Sequence, residues 1–145
     1  MECTVRWMGK EGMSFVAETG SGHLVTMDGS QEAGGRNLAP RPMEMLLLGA
    51  GGCTAFDVVL ILKRGRHGVS GCDVRLAAER AADDPKVFTR IEMHYSVRGR
   101  DLKRAAVERA VALSHEKYCS ASAMLAHTAA ITWTLEVLED EPSAA

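Results

Sequence analysis

The stretch from Pro42 to Arg64, PMEMLLLGAGGCTAFDVVLILKR, constrains the fold more than any other part of the chain. Proline is at home in the first turn of a helix, where its missing N–H has no helical partner to lose. Apolar residues then recur at Met43, Leu46, Leu47, Ala50, Thr54, Val58 and Ile61, a helical spacing. Leu48, Val59 and Leu62 fill the remaining faces. A helix apolar nearly all round must be buried. Lys63 and Arg64 complement its negative C-terminal end, and Gly65 suits the stop. Inside it stand Gly49, Gly51 and Gly52. Each mid-helix glycine costs roughly 1 kcal/mol against alanine. Either a neighbour packs directly against the bare backbone there, or the helix bends. One sheet from a chain of 145 residues covers one face of such a helix, so a second copy of the chain is expected to cover another.

The elements around this helix read as strands and shorter helices. Thr4–Met8, Met13–Glu18 and His23–Met27 are three predicted strands, with turns at Gly9–Gly12 and Gly20-Ser21-Gly22. Residues 29–41 read as an exposed polar loop. After the helix, Cys72–Ala78 and Thr89–Arg98 alternate as a hairpin around the Ala82–Pro85 turn. Asp101 is a good N-cap for an amphipathic helix running to about His115. A short third helix is expected from Ser120 or Ser122 to Thr128, then a last strand, Ile131–Leu138, and a frayed tail, EDEPSAA. Strands and helices in this order indicate one α+β domain spanning residues 1–145, an antiparallel sheet with a long buried central helix and a second helix.

Composition removes several classes of function. A formal net charge of −2, with no basic stripe, argues against nucleic-acid binding. No apolar stretch reads as a signal peptide or as the roughly 18–20 residues of a membrane span, so a cytoplasmic location is expected. The Gly49–Gly52 run does not follow a strand in a βαβ setting and is no phosphate loop, and no cofactor is expected. The chain has four cysteines, Cys3, Cys53, Cys72 and Cys119, with no CxxC pair and scattered histidines, which argues against a zinc site. A reducing compartment leaves free thiols or a transient disulfide. Cys3 and Cys72 have strand-type surroundings and read as structural. Cys119 ends one helix and precedes another, a setting that favours thiolate. His115 and Glu116 lie close to it, but nothing else supports acyl transfer.

Two segments resemble a known family. P-x-E-x-L-L-L-x-A-x-G-C-T-A, from Pro42 to Ala55, is similar to the central-helix motif of the OsmC and organic hydroperoxide resistance family. Tyr118–Met124, YCSASAM, resembles its second motif, C-x-x-S. The resemblance implies an OsmC-like fold and an intertwined homodimer with active sites at its interface. It also implies thiol-dependent peroxidase activity on organic hydroperoxides, in oxidative stress defence. Cys53 then matches the peroxidatic cysteine and Cys119 the resolving one, with a dithiol, lipoyl-type in some members, as reductant. A ligand-binding or redox-sensing protein without efficient turnover is the alternative. The family's peroxidases carry glutamate directly after the helix-opening proline. Here Met43 holds that position and Glu44 follows, turned by about 100°. Glu44 is therefore a candidate catalytic residue across a dimer contact or after a bend. Arg6, Arg36 and Arg41 are candidates for the arginine that pairs with the thiolate. Asp57, one turn after Cys53, opposes a thiolate there unless a cation neutralises it.

Overall fold

The computed structural model describes residues 1–140, and the chain divides into two compact units, the second beginning at Gly49. The first unit is an antiparallel sheet of three strands, β1 (Cys3–Trp7), β2 (Phe15–Thr19) and β3 (Leu24–Met27) in that order. Cys3 pairs with Thr19 and Trp7 with Phe15, and Phe15 pairs in turn with Met27. The following segment is the exposed loop its composition suggests, and a buried carboxylate ties it down. The Asp28 side chain is buried and accepts backbone N–H bonds from Gly29 (2.8 Å), Arg36 (3.0 Å) and Leu38 (3.1 Å). These bonds, that from Leu38 foremost, hold the Asp28 carboxyl below its ordinary range. A single 3-10 turn, Gln31–Ala33, lies within this loop.

Helix α1 (Pro42–Arg64) is continuous. Its start is half of a capping box: Glu44 Oε2 accepts the Arg41 N–H at 2.8 Å while Met45 N–H bonds Arg41 C=O. Within the single chain one face is buried. Ala50, Gly51, Thr54, Val58 and Leu62 form one buried stripe, whereas Phe56 on the opposite side is 66% exposed. The glycines divide the same way. A Cβ on Gly51 would lie 2.7 Å from Leu76 Cδ1, so here bare backbone admits a neighbour, while Gly49 and Gly52 face open space. The helix is also long and apolar enough, by length and composition alone, to cross a membrane, which corrects the expectation that no segment is. Its apolar stripe is instead packed as core.

The second unit holds a three-stranded sheet, β4 (Gly68–Arg80), β5 (Phe88–Arg100) and β6 (Ala130–Glu139), with helices α2 (Arg104–Leu113) and α3 (Ser120–Leu125) between the last two strands. β4 and β5 form the expected antiparallel hairpin, longer than the alternation indicates. β6 runs parallel to β5, with Met93 opposite Trp133 and Tyr95 opposite Leu135, so the sheet is mixed rather than antiparallel. A parallel pair needs a crossover, and α2 and α3 supply it. Ile91, Met93, Tyr95 and Val97 alternate onto the inner face of β5, and with the α1 stripe and Val107, Ala110 and Val111 of α2 they form the core. Asp101 does not cap α2. It adopts φ 52°, a left-handed conformation that aspartate tolerates, and its N–H bonds Glu139 Oε1 at 3.0 Å, leaving Lys103 as the N-cap. The expected frayed tail lies mostly outside the described residues, but Glu139 belongs to β6.

Candidate functional site

Two helices and one turn of the second unit bring its reactive side chains together. Cys53 and Asp57 lie one turn apart on α1, either side of the buried Thr54. Between α2 and α3 the chain makes a π-helical turn, Ser114–Tyr118, closed by the Cys119 N–H on Ser114 C=O at 2.8 Å. Such turns are over-represented at functional sites. This one ends by placing Cys119 as the N-cap of α3, with its Sγ accepting the Ser122 N–H at 3.4 Å. The two sulfurs and an Asp57 carboxylate oxygen all lie within 4.8 Å of one another. Cys53 and Asp57 are half-buried, whereas Cys119 is only 2% exposed. Burial pushes the Cys119 thiol up and outweighs the Ser122 contacts, so the thiolate-favouring setting anticipated for a helix start is overridden. The Ser122 hydroxyl, on the same turn, is buried with no hydrogen-bond partner among the described residues.

A chain of hydrogen bonds runs from this cluster into the core. Ser114 Oγ donates to Asp57 Oδ2 at 3.0 Å. Ser114 Oγ and Thr54 Oγ1 are 2.8 Å apart, Thr54 Oγ1 and Tyr95 Oη 2.7 Å, and Tyr95 Oη and His115 Nε2 2.8 Å. Each hydroxyl carries one proton, so the donor at each link is determined. With the Ser114 proton on Asp57, Thr54 donates to Ser114 and Tyr95 donates to Thr54. His115 must then present Nε2–H to Tyr95. The Met93 Sδ, 3.6 Å from the phenol, is left a contact rather than an acceptor. His115 also stacks on Trp133, with rings 6.3 Å apart and 6° from parallel. Burial lowers its pKa and raises that of Tyr95, so both stay neutral near pH 7.

Sequence reasoning singled out Cys53, Cys119 and Asp57 but did not find Thr54, Tyr95 and Ser114. The signal available was a hydroxyl on each buried face, which demands a partner. The remaining candidates lie in the first unit. There Arg6 pairs with Glu18 at 3.6 Å and Arg36 with Glu11 at 3.7 Å, and Glu44 bonds the Arg41 backbone. Among the described residues Asp57 forms no ion pair.

A family model described as OsmC-like protein matches residues 34–134, which include Cys53, Cys119, the relay, β4, β5 and the first half of β6. The chain belongs to the OsmC-like family. Protein YhfA of Escherichia coli K12 is 50% identical over 138 residues, covering 95% of this chain and 98% of that protein. The crystal structure of a hypothetical protein from Aquifex aeolicus VF5 superposes with a TM-score of 0.82 at 31% identity, over 97% of each chain. An organic hydroperoxide resistance protein, OsmC, from Legionella pneumophila shares the OsmC-like fold at a TM-score of 0.70 and 18% identity, over 94% of this chain and 98% of that one.

Proposed function

We propose that this chain is a two-cysteine thiol peroxidase that reduces organic hydroperoxides in oxidative stress defence. The observation that carries this reading is the approach of the Cys53 and Cys119 sulfurs to within 4.8 Å. A disulfide needs about 2.05 Å between sulfurs, a closure small enough for side-chain rotation and a slight shift of the α3 start. The half-buried Cys53 is the thiol a hydroperoxide reaches, and the buried Cys119 is the one that resolves it.

The reaction has three steps. The Cys53 thiolate attacks the outer peroxide oxygen, the O–O bond breaks, and the alkoxide leaves as alcohol after taking a proton. Cys53 is now a sulfenic acid. The Cys119 sulfur displaces its hydroxyl, forming the disulfide and releasing water. An external dithiol then reduces the disulfide and is itself oxidised. The fold's relative from Legionella pneumophila, named for organic hydroperoxide resistance, agrees with this substrate class.

The working form in this reading is a cytoplasmic homodimer. Its support is the outer face of α1, where Gly52, Ala55, Phe56, Val59 and Leu60, with Lys63 beside them, line a mostly apolar groove. The Cys53 thiolate needs a cation that outweighs Asp57. Arg6, Arg36 and Arg41 are the candidates for it, and Glu44 is a candidate catalytic residue across the dimer contact. Asp57 beside both sulfurs favours one alternative, a redox sensor that forms the disulfide once and cycles poorly.

Turnover of cumene hydroperoxide with dithiothreitol or dihydrolipoamide decides between these. The peroxidase reading predicts multiple turnovers, lost in Cys53→Ser and in Cys119→Ser. Turnover unchanged in Cys53→Ser contradicts it, and a single stoichiometric oxidation without cycling selects the sensor.

A further inference from the structure

We propose that Cys53, Asp57 and Cys119 form a binding site for a borderline-soft divalent cation, Zn²⁺, closed by oxidation of the cysteine pair. Two sulfurs and a carboxylate oxygen within 4.8 Å are a three-donor set drawn from both walls of the site. Zinc bonds sulfur at about 2.3 Å and carboxylate oxygen at about 2.0–2.2 Å, so tetrahedral donors lie roughly 3.5–3.8 Å apart. The cluster reaches that spacing by closing at most about 1.0–1.3 Å. Two thiolates select against Mg²⁺ and Ca²⁺, which take oxygen donors, and three protein ligands leave a fourth position for water.

The surroundings are those of a held ligand set. The Ser114 hydroxyl fixes Asp57 Oδ2, and the relay through Thr54 and Tyr95 fixes Ser114. The Ser122 N–H bonds the Cys119 sulfur. Such outer contacts orient metal ligands and tune their affinity. Cys53 and Asp57 are half-buried, which leaves an approach for the ion.

Binding releases the two thiol protons as each sulfur takes the metal. The disulfide removes both sulfur donors, so zinc and the disulfide exclude one another. Zinc occupancy and peroxide reactivity of these cysteines are therefore alternatives.

Anaerobic Co²⁺ titration of the reduced full-length chain tests this, read by absorption and followed by Zn²⁺ displacement. One Co²⁺ per chain is expected, with thiolate-to-cobalt charge-transfer bands that Zn²⁺ abolishes. Cys53→Ser and Cys119→Ser should each weaken binding by at least about a hundredfold, Asp57→Asn by about ten- to a hundredfold, and Ser114→Ala by about tenfold. The doubly substituted Cys3→Ser, Cys72→Ser chain should bind as the wild type does. The oxidised wild-type chain, whose fold needs no substitution, should not bind. Cobalt bound without charge-transfer bands, equal affinity in Asp57→Asn, or binding that survives the disulfide would overturn the site. The titration involves no peroxide: a chain that binds Co²⁺ in this way yet shows no turnover keeps the metal site and sinks the peroxidase.

Discussion

At the scale of single residues, the site is organised by hydroxyls rather than by charges. Thr54 is the middle link, taking the Tyr95 proton and giving its own to Ser114. Thr54→Val keeps the shape but leaves a buried phenol and a buried hydroxyl short of a partner. Each unmade buried bond costs about 1–3 kcal/mol. Urea unfolding should register a loss in that range, with Tyr95→Phe, which leaves the Thr54–Ser114 bond in place, losing less. His115 makes the relay pH-sensitive. Burial lowers its pKa from the ordinary value of about 6.5. The unfolded chain therefore takes up the proton first as pH falls. The stability from neutral His115 is complete above about pH 6.5 and declines as pH drops toward the folded-state value. Thermal melts should show this decline, and His115→Gln, which keeps an N–H donor, should flatten it. These residues were only partly legible in the sequence. Cys53 and Cys119 stand in recognisable motifs, whereas Tyr95 and Thr54 looked like ordinary members of apolar stripes. Only the fold reveals that their polar atoms meet.

At the scale of elements, most were legible because hydrophobic periodicity and turn residues report local structure. Two departures have physical causes. The alternation of β6 is the same in either direction, and its parallel alignment follows from the α2–α3 crossover, a property of the connection. Asp101 has the chemistry of a cap, but the chain turns there through a left-handed residue and starts α2 at Arg104. The loop of residues 28–41 shows the opposite lesson: glycine-rich composition hid a carboxylate that gathers its backbone N–H groups. Asp28→Asn removes the negative charge those N–H groups surround. Because they lower the folded-state pKa, the stability they provide is present above the ordinary aspartate range and fades as pH falls through the folded value. Thermal melts should accordingly show Asp28→Asn less stable than the wild type at pH 7, with the difference narrowing in acid. Equal midpoints at pH 7 would contradict the role given to this carboxylate.

For the whole molecule, the apolar outer face of α1 is the feature a lone chain leaves unexplained. Burial on every side was expected from the sequence, and the single chain buries one stripe. Phe56, 66% exposed beside Gly52, Val59 and Leu60, is the anchor of the proposed contact with a second copy. A charge at its centre would have to be desolvated, so Phe56→Glu should convert a dimer into monomers in sedimentation velocity. A wild-type chain that sediments as a monomer at assay concentrations would remove the dimer from the proposal. The disulfide step can stand without that answer, because both sulfurs belong to one chain. The most direct test of the account is peptide mapping after one equivalent of cumene hydroperoxide acts on the reduced protein. The account predicts a Cys53–Cys119 linked peptide and a chain lighter by two hydrogens. Oxidation that stops at a sulfinic Cys53 with Cys119 free, or a disulfide drawn from Cys3 or Cys72, would contradict it.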